Sequence, residues 1–291
     1  MTEPHGLQAL EQPLASLPET LRRLILERIQ NLTHYEPVIG IMGKSGAGKS
    51  SLCNELFRGE VSPVSDVHAC TRDVLHFRLC SGRHSLMMVD LPGVGENGQR
   101  DQEYRALYRR ILPELDLVLW VIRADDRALS VDEQFWFGVM QPYQRQVLFV
   151  LNQADKIEPC HEWDTRTSTP SPQQQANLKT KQAAINAMFN PHHPVCIVSA
   201  LTGWGTEEMV ATMMRSLPDR AASPVATQLQ ERLCTEPVRS QARDGFGESV
   251  GKVFDSVESS SFLPAPLKTV IRAVREAVVS VARAVWDWIF F

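Results

Sequence analysis

The chain is predicted to fold as a three-layer α/β domain with a mostly parallel, six-stranded sheet, flanked by helices at both ends. Three observations carry that prediction. Between Pro37 and Leu217, short runs rich in Val, Ile and Leu (38–42, 86–89, 117–122, 147–151 and 195–198) alternate with longer helix-like stretches. Runs of this length suit strands buried on both faces, and strand–helix alternation implies parallel pairing through crossover helices. A glycine-rich turn directly follows the first run, and a Ser81-Gly82-Arg83 turn joins 73–80 to 84–89 as an antiparallel edge hairpin.

The flanks read differently. In 1–33, Leu17, Leu21, Leu24, Ile25, Ile29 and Leu32 share one helical face, and Ser16 three residues before Glu19, with Pro18 between, marks a helix start. That helix is expected to pack on the domain that follows. Beyond Pro218, 221–224 reads as a linker and 226–234 as a short helix. A segment rich in glycine and serine follows, whose spacing of Phe246, Val250, Val253, Phe254 and Val257 permits a helix, and 266–291 is again periodic. The expected division is an N-terminal helical segment 1–33, a central domain 34–220, and a linker with helical region 221–291.

Composition narrows the function classes. With 291 residues, 43% apolar and 22% charged, a sizeable core is available and wholesale disorder is excluded. Thirty basic against 34 acidic side chains give a net charge of −4, which argues against a strongly basic nucleic-acid wrapper. Six cysteines without a C-x-x-C pair, a polar N-terminus and no apolar run of spanning length point to a cytoplasmic globular protein.

Gly43-Lys44-Ser45-Gly46-Ala47-Gly48-Lys49-Ser50 matches G-x-x-x-x-G-K-[ST], between a strand and a helix predicted from Ser51. Glycines there let successive backbone N–H groups face inward as an anion nest, and the helix N-terminus adds positive dipole. Lys49 supplies charge to the β- and γ-phosphates, and the Ser50 hydroxyl suits Mg²⁺. Asp90-Leu91-Pro92-Gly93 ends a strand 41 residues after Lys49. It offers a carboxylate on the Mg²⁺ side and a glycine N–H toward the γ-phosphate. Asn152-Gln153-Ala154-Asp155 ends the next-but-one strand; an aspartate there accepts from guanine N1–H and its 2-amino group, a pattern adenine lacks. Ser199-Ala200, after the last strand, is placed to present a backbone N–H to guanine O6. All four lie at carboxyl ends of predicted strands, where open α/β sheets bind ligands.

With these residues the chain resembles P-loop GTPases of the translation-factor-related class, nearest the Era/TrmE-like branch and its YfjP/YkfA-type subset. The resemblance covers 37–217 and neither end. It implies GTP or GDP with Mg²⁺ as cofactors. The implied binding residues are Gly43 through Ser51 (Gly43, Lys44, Ser45, Gly46, Ala47, Gly48, Lys49, Ser50, Ser51), Asp90, Gly93, Asn152, Gln153, Asp155, Lys156, Ser199, Ala200 and Leu201. The implied metal ligands are Ser50, Asp90 and a switch threonine, for which Thr71 fits and Ser65 is the weaker alternative; Lys49, Thr71 and Gly93 would serve catalysis. The implied activity is Mg²⁺-dependent hydrolysis of GTP to GDP and phosphate, a switch through loops 61–71 and 91–101. The alternative is a nucleotide-gated binding or membrane-associating module with negligible hydrolysis.

Three departures from the family pattern bear on rate and affinity. Gln153 replaces the lysine whose stem packs over the base. Val94 stands where Ras-like switches carry a water-orienting glutamine, leaving Glu96 and Gln99 as candidates against a plain exposed loop. Gly46 stands where some relatives bind K⁺ through an asparagine. Slow turnover independent of K⁺ is expected. Cys160-His161 and His192-His193 lack zinc spacing and read as loop residues, and Trp136, beside Phe135 and Phe137, reads as core.

The final stretch sets Leu267, Val270, Ile271, Val274, Val278, Val281, Val285, Trp288 and Ile289 on one side and Lys268, Arg272, Arg275 and Arg283 among the residues opposite. Docking on the central domain or on a second copy of the chain is one reading. Peripheral contact with a membrane, favoured by Trp286, Trp288, Phe290 and Phe291, is the other. Candidate partners are thus a guanine nucleotide, a second copy as homodimer, a membrane surface and, by family resemblance, a ribosomal particle.

Overall fold

The computed structural model describes residues 5–58, 60–64, 74–92, 100–260 and 263–291. Among the described residues, seven strands form one sheet in the order β2-β3-β4-β1-β5-β6-β7: β1 (Val38–Met42), β2 (Glu60–Val64), β3 (Leu75–Ser81), β4 (His84–Asp90), β5 (Leu117–Arg123), β6 (Val147–Asn152) and β7 (Cys196–Ile197). Pairing is parallel from β4 through β1, β5 and β6 to β7, and antiparallel for β2–β3 and β3–β4. The α/β class, the mostly parallel sheet and the edge hairpin are as the sequence predicts. The seventh strand is β2, which the sequence reading left in a loop. Pro63 conceals it, because proline within a strand signals an edge position, and β2 is the sheet's edge.

Helices α1 (His5–Gln8), α2 (Glu19–Thr33), α3 (Lys49–Leu56), α7 (Thr206–Ser216), α8 (Asp219–Gln228), α9 (Glu236–Glu258), α10 (Ala265–Ala284) and α11 (Trp286–Phe290) lie on one side of the sheet. On the other lie α4 (Arg100–Ile111), α5 (Ser130–Phe135) and α6 (Pro172–Phe189). β5 shows why both faces are apolar: Leu117, Leu119 and Val121 enter the first core and Val118, Trp120 and Ile122 the second, all nearly inaccessible. Trp136 and Phe135 are core, but Phe137 is 51% exposed, because the helix widens into a π turn over Trp136–Met140.

Both ends join the first core. α2 begins at Glu19 with Pro18 in the capping position and no side-chain cap, so Ser16 does not start it; Leu17 is buried instead. Leu24 is partly exposed while Ile25 and Ile29 are buried. Residues 221–224 are no linker but the middle of α8, where Ala221, Ala222, Ser223 and Pro224 are buried. The Ala-Ala-Ser-Pro composition that mimics a linker is what lets α8 sit close: a Cβ at Gly245 of α9 would lie 3.2 Å from the Asp219 carbonyl. The helix predicted over 226–234 stops at Gln228, and a 3₁₀ turn follows at Glu231–Leu233. α9 runs unbroken through the glycine-rich segment. Gly247 and Gly251 lie beneath Arg283 and Arg275 of α10, which a Cβ would meet at 2.4 and 2.6 Å.

The apolar stripe of the last helices faces inward. Ile271, Val274, Val278, Trp286 and Ile289 are buried in the first core, and Trp286 Nε1 donates to Ser223 Oγ at 2.8 Å, whose hydroxyl donates in turn to the Ala242 carbonyl. The arginines opposite pair with acids of α9: Arg272 with Glu258, Arg275 with Asp255, Arg283 with Glu248. Of the four aromatics that suggested a bilayer interface, Trp286 and Phe290 are thus buried within the chain, while Trp288 (69% exposed) and Phe291 (51% exposed) remain at the surface. No helix among the described residues is long and apolar enough to cross a membrane. Trp286→Ala is expected to destabilise the fold by about 3–5 kcal/mol, the usual cost of deleting a buried aromatic, measured by chemical denaturation. A loss below about 1 kcal/mol would show that α11 is not part of the core.

Candidate functional site

The carboxyl ends of β1, β4, β5, β6 and β7 converge on one end of the sheet. β1 leads into Gly43 (φ 145°), where a Cβ would stand 2.2 Å from the Val121 carbonyl oxygen of β5, so only glycine passes. Gly46 and Gly48 also have positive φ (76° and 87°), which turns the intervening N–H groups into a concave nest. Gly48 caps α3, and a Cβ there would meet Asn152 Nδ2 at 2.5 Å. Lys49 opens α3 and its Nζ donates to the Gly43 carbonyl at 3.0 Å, folded over the loop it belongs to. Ser45, Ser50 and Ser51 are exposed and Ala47 is buried.

Asp90 ends β4 beside this turn. Its Oδ1 is buried without a hydrogen-bond partner among the described residues. Burial raises its carboxyl pKa above the usual range, and the Lys49 charge opposes the rise. Lys49, Ser50, Cys53 and Asp90 border a cavity of about 240 Å³ whose far wall is apolar, with Phe77 and Met88. Burial, with Asp90 adding to it, pushes the Cys53 thiol up to about 12. The buried, unpartnered Asp90 carboxylate oxygen and the Ser50 hydroxyl, bordering one cavity, are oxygen ligands of the kind that Mg²⁺ takes. Thr71, Gly93, Ser65, Val94, Glu96 and Gln99 lie outside the described residues.

The opposite wall comes from β6 and the turn after β7. Asn152, 1% exposed, donates through Nδ2 to the Ala47 carbonyl (3.0 Å) and accepts at Oδ1 from the Ala200 N–H (3.0 Å). Gln153 (φ 62°) donates through Nε2 to the Gly46 carbonyl at 2.7 Å, and its Oε1 accepts from Lys156 Nζ at 3.3 Å. Asp155 Oδ1 accepts from Ser199 Oγ at 2.6 Å, and Ser199 is fully buried. Sequence reasoning weighed only the backbone of Ser199-Ala200; the structure adds the Ser199 hydroxyl, which aims the Asp155 carboxylate. It also engages the backbone donors expected for a base, since Ser199 N–H bonds the Trp204 carbonyl and Ala200 N–H bonds Asn152. Leu201, 80% exposed, follows in the same turn.

One cluster escaped the sequence. Lys44 leaves the loop sideways, its Nζ 2.8 Å from Asp132 Oδ2 and 2.9 Å from Asp126 Oδ2, and also donates to the Ala128 carbonyl. Burial lowers the Lys44 ammonium pKa, but Asp132 and Asp126 outweigh it and the net shift is upward. Burial raises the Asp132 carboxyl against the pull of Lys44. The available signal was the acidic pair Asp125-Asp126 just past the strand next to β1.

The profile of the family described as 50S ribosome-binding GTPase matches residues 38–153. YfjP of Escherichia coli K12 is 54% identical over 285 residues, 98% of each chain, and YkfA of the same strain 52% identical over 291, all of both. The chain belongs to the P-loop GTPase family. Within this GTPase family, Era of Aquifex aeolicus VF5 is 26% identical over 188 residues, 62% of this chain and 56% of that protein. A crystal structure of Aquifex aeolicus Era bound to GDP and AlF₄⁻ aligns over 76% of this chain and 88% of its own, at 18% identity and a TM-score of 0.46.

The buried Asp90 carboxylate makes the stability of the fold depend on pH. Its folded pKa lies above the unfolded one, so the stability tied to its protonation is present at low pH and lost as pH rises through the folded value. Asp90→Asn, neutral at every pH, is expected to stabilise the nucleotide-free protein at pH 8, with the gain shrinking on acidification. Denaturation at several pH values checks this, and a destabilised variant at pH 8 would refute the strained carboxylate.

Proposed function

We propose that this protein binds GTP and GDP with Mg²⁺ and hydrolyses GTP slowly to GDP and phosphate as a nucleotide-controlled switch. The observation that carries the reading is the Asp155 carboxylate held by the buried Ser199 hydroxyl at the far end of the phosphate loop. An acceptor-only group fixed there selects the N1–H and 2-amino edge of guanine. The turn Ser199–Leu201 supplies the backbone N–H for O6; the Leu201 N–H has no hydrogen bond among the described residues. Gly43 through Ser51 enclose the phosphates, with the Lys49 ammonium as their principal protein cation. Gln153 and Lys156 close the loop over the base without a stacking lysine stem. Ser50 and Asp90 would hold Mg²⁺, joined by Thr71 when GTP is bound, and the bound ion supplies neutralisation of charge between the β- and γ-phosphates.

Hydrolysis in this reading rests on the loop amides, Lys49 and the Gly93 N–H at the transferring group. No glutamine follows Gly93, which accounts for slow turnover, and Gly46 has no side chain to coordinate K⁺. A nucleotide-gated module with negligible hydrolysis differs in one measurement: single-turnover decay of bound GTP. The family description supports a ribosomal particle as the partner class, in a cytoplasmic setting; a second copy of the chain is the competing occupant.

Lys49→Ala is expected to weaken GTP and GDP binding by roughly tenfold to a hundredfold, the worth of charged hydrogen bonds to phosphate, in equilibrium titrations. Undiminished affinity would remove the phosphate-loop assignment. Asp155→Asn is expected to turn preference from guanine toward xanthine nucleotides, since the amide donates where xanthine presents an oxygen. Competition assays that give the same GTP preference in both proteins would place base recognition elsewhere.

A further inference from the structure

Lys44 is the second residue of the phosphate loop, yet its ammonium serves no surface of that loop. It donates hydrogen bonds to Asp126 Oδ2 and the Ala128 carbonyl, and it stands 2.8 Å from Asp132 Oδ2 as an ion pair, a buried oxygen with no hydrogen-bond partner among the described residues. Asp132 is 1% exposed and sits in the first turn of α5. The Asp126 segment is itself held from α6, where Lys181 donates to the Asp126 carbonyl. The loop has three glycines with positive φ and so little stiffness of its own. On one side Asn152 and Gln153 grip the carbonyls of Ala47 and Gly46. On the other side Lys44 is the attachment.

We propose that Lys44 is a positioning residue, clamped by Asp132 and Asp126 so that the backbone donors of the phosphate loop stay in register for the nucleotide. The proposal rests on the guanine-nucleotide reading above. Its competitor is direct: Lys44 as a second phosphate cation, restrained by the two acids until nucleotide arrives. The two accounts give opposite signs for Asp132→Asn. If Lys44 clamps the loop, losing its buried partner slackens the loop and speeds nucleotide release. If Lys44 is a phosphate cation, removing the competing carboxylate frees it and slows release. The clamp also requires Lys44 and Asp132 to act as one unit, so their effects are non-additive.

The test is stopped-flow release of a fluorescent GDP analogue, with Mg²⁺, from the full chain and from Lys44→Met, Asp132→Asn, the double variant, Asp126→Asn and Lys44→Arg. Lys44→Met and Asp132→Asn are each expected to speed release by roughly tenfold, the double variant no more than the worse single one. Lys44→Arg is expected to recover most of the loss. Slower release from Asp132→Asn, unchanged release from the single variants, or multiplied effects in the double variant would overturn the clamp. A lowered melting temperature with unchanged release would likewise reduce the pair to a structural contact. Should Asp132→Asn fail to fold, Asp126→Asn carries the same signs. A wild-type protein that takes up no guanine nucleotide would instead fail in the first measurement, bringing down the reading on which the clamp depends.

Discussion

The side chain of Asn152 holds the site together. One buried amide gives its N–H to the phosphate loop at Ala47 and takes an N–H from the turn after β7 at Ala200. Three loops from distant parts of the chain thereby keep a fixed spacing, which nothing in their own conformations would impose. The close fit at Gly48, where any side chain would strike Asn152 Nδ2, shows how tightly the loop is drawn against it. Deleting this amide would strand a buried carbonyl and a buried N–H together, and such groups cost far more unpaired than their bonds gain when made. Asp155 and Gln153 depend on the same strand end, so the base-side geometry follows from the brace as well.

That brace works only on a rigid floor. β5 and β6 are buried on both faces, and Trp120 contacts the rings of Phe149, Trp136 and Phe189 in a dense aromatic cluster under α5 and α6. On the other face the N-terminal helix and the five helices after the last strand share one continuous core with the sheet. The C-terminal helices are therefore built into the support of the domain. A change at the nucleotide end and a change at α11 both act on the same packed sheet, and interiors of this density transmit strain rather than absorb it.

What was legible in the sequence were features fixed by local rules. The strand runs, the hairpin at Ser81-Gly82-Arg83 and the glycines of 43–48 each encode backbone conformation directly. What was not legible depends on contacts remote in sequence. Ala221–Pro224 has the composition of a linker, and only the closeness of α9 at Gly245 explains why small residues are required there. The apolar spacing around Gly247 and Gly251 permitted a helix, and only the placement of Arg283 and Arg275 directly above them explains why glycines stand in it. Lys44 finds Asp132 in a different strand–helix unit far along the chain, and no periodicity connects them. The C-terminal stripe has the same spacing whether it faces a membrane, a partner or the chain itself; the packing of Trp286 on Ser223 decided its direction.

The central claim is that this end of the sheet recognises guanine nucleotides through a metal-assisted phosphate loop. Calorimetric titration of the wild-type chain with GDP and with ADP, each with and without Mg²⁺, addresses it most directly. The account expects GDP binding strengthened by Mg²⁺ and at least about a hundredfold tighter than ADP, as befits a site whose fixed acceptor is left unpaired by the wrong base. Equal affinity for the two nucleotides, or binding of neither, would contradict it.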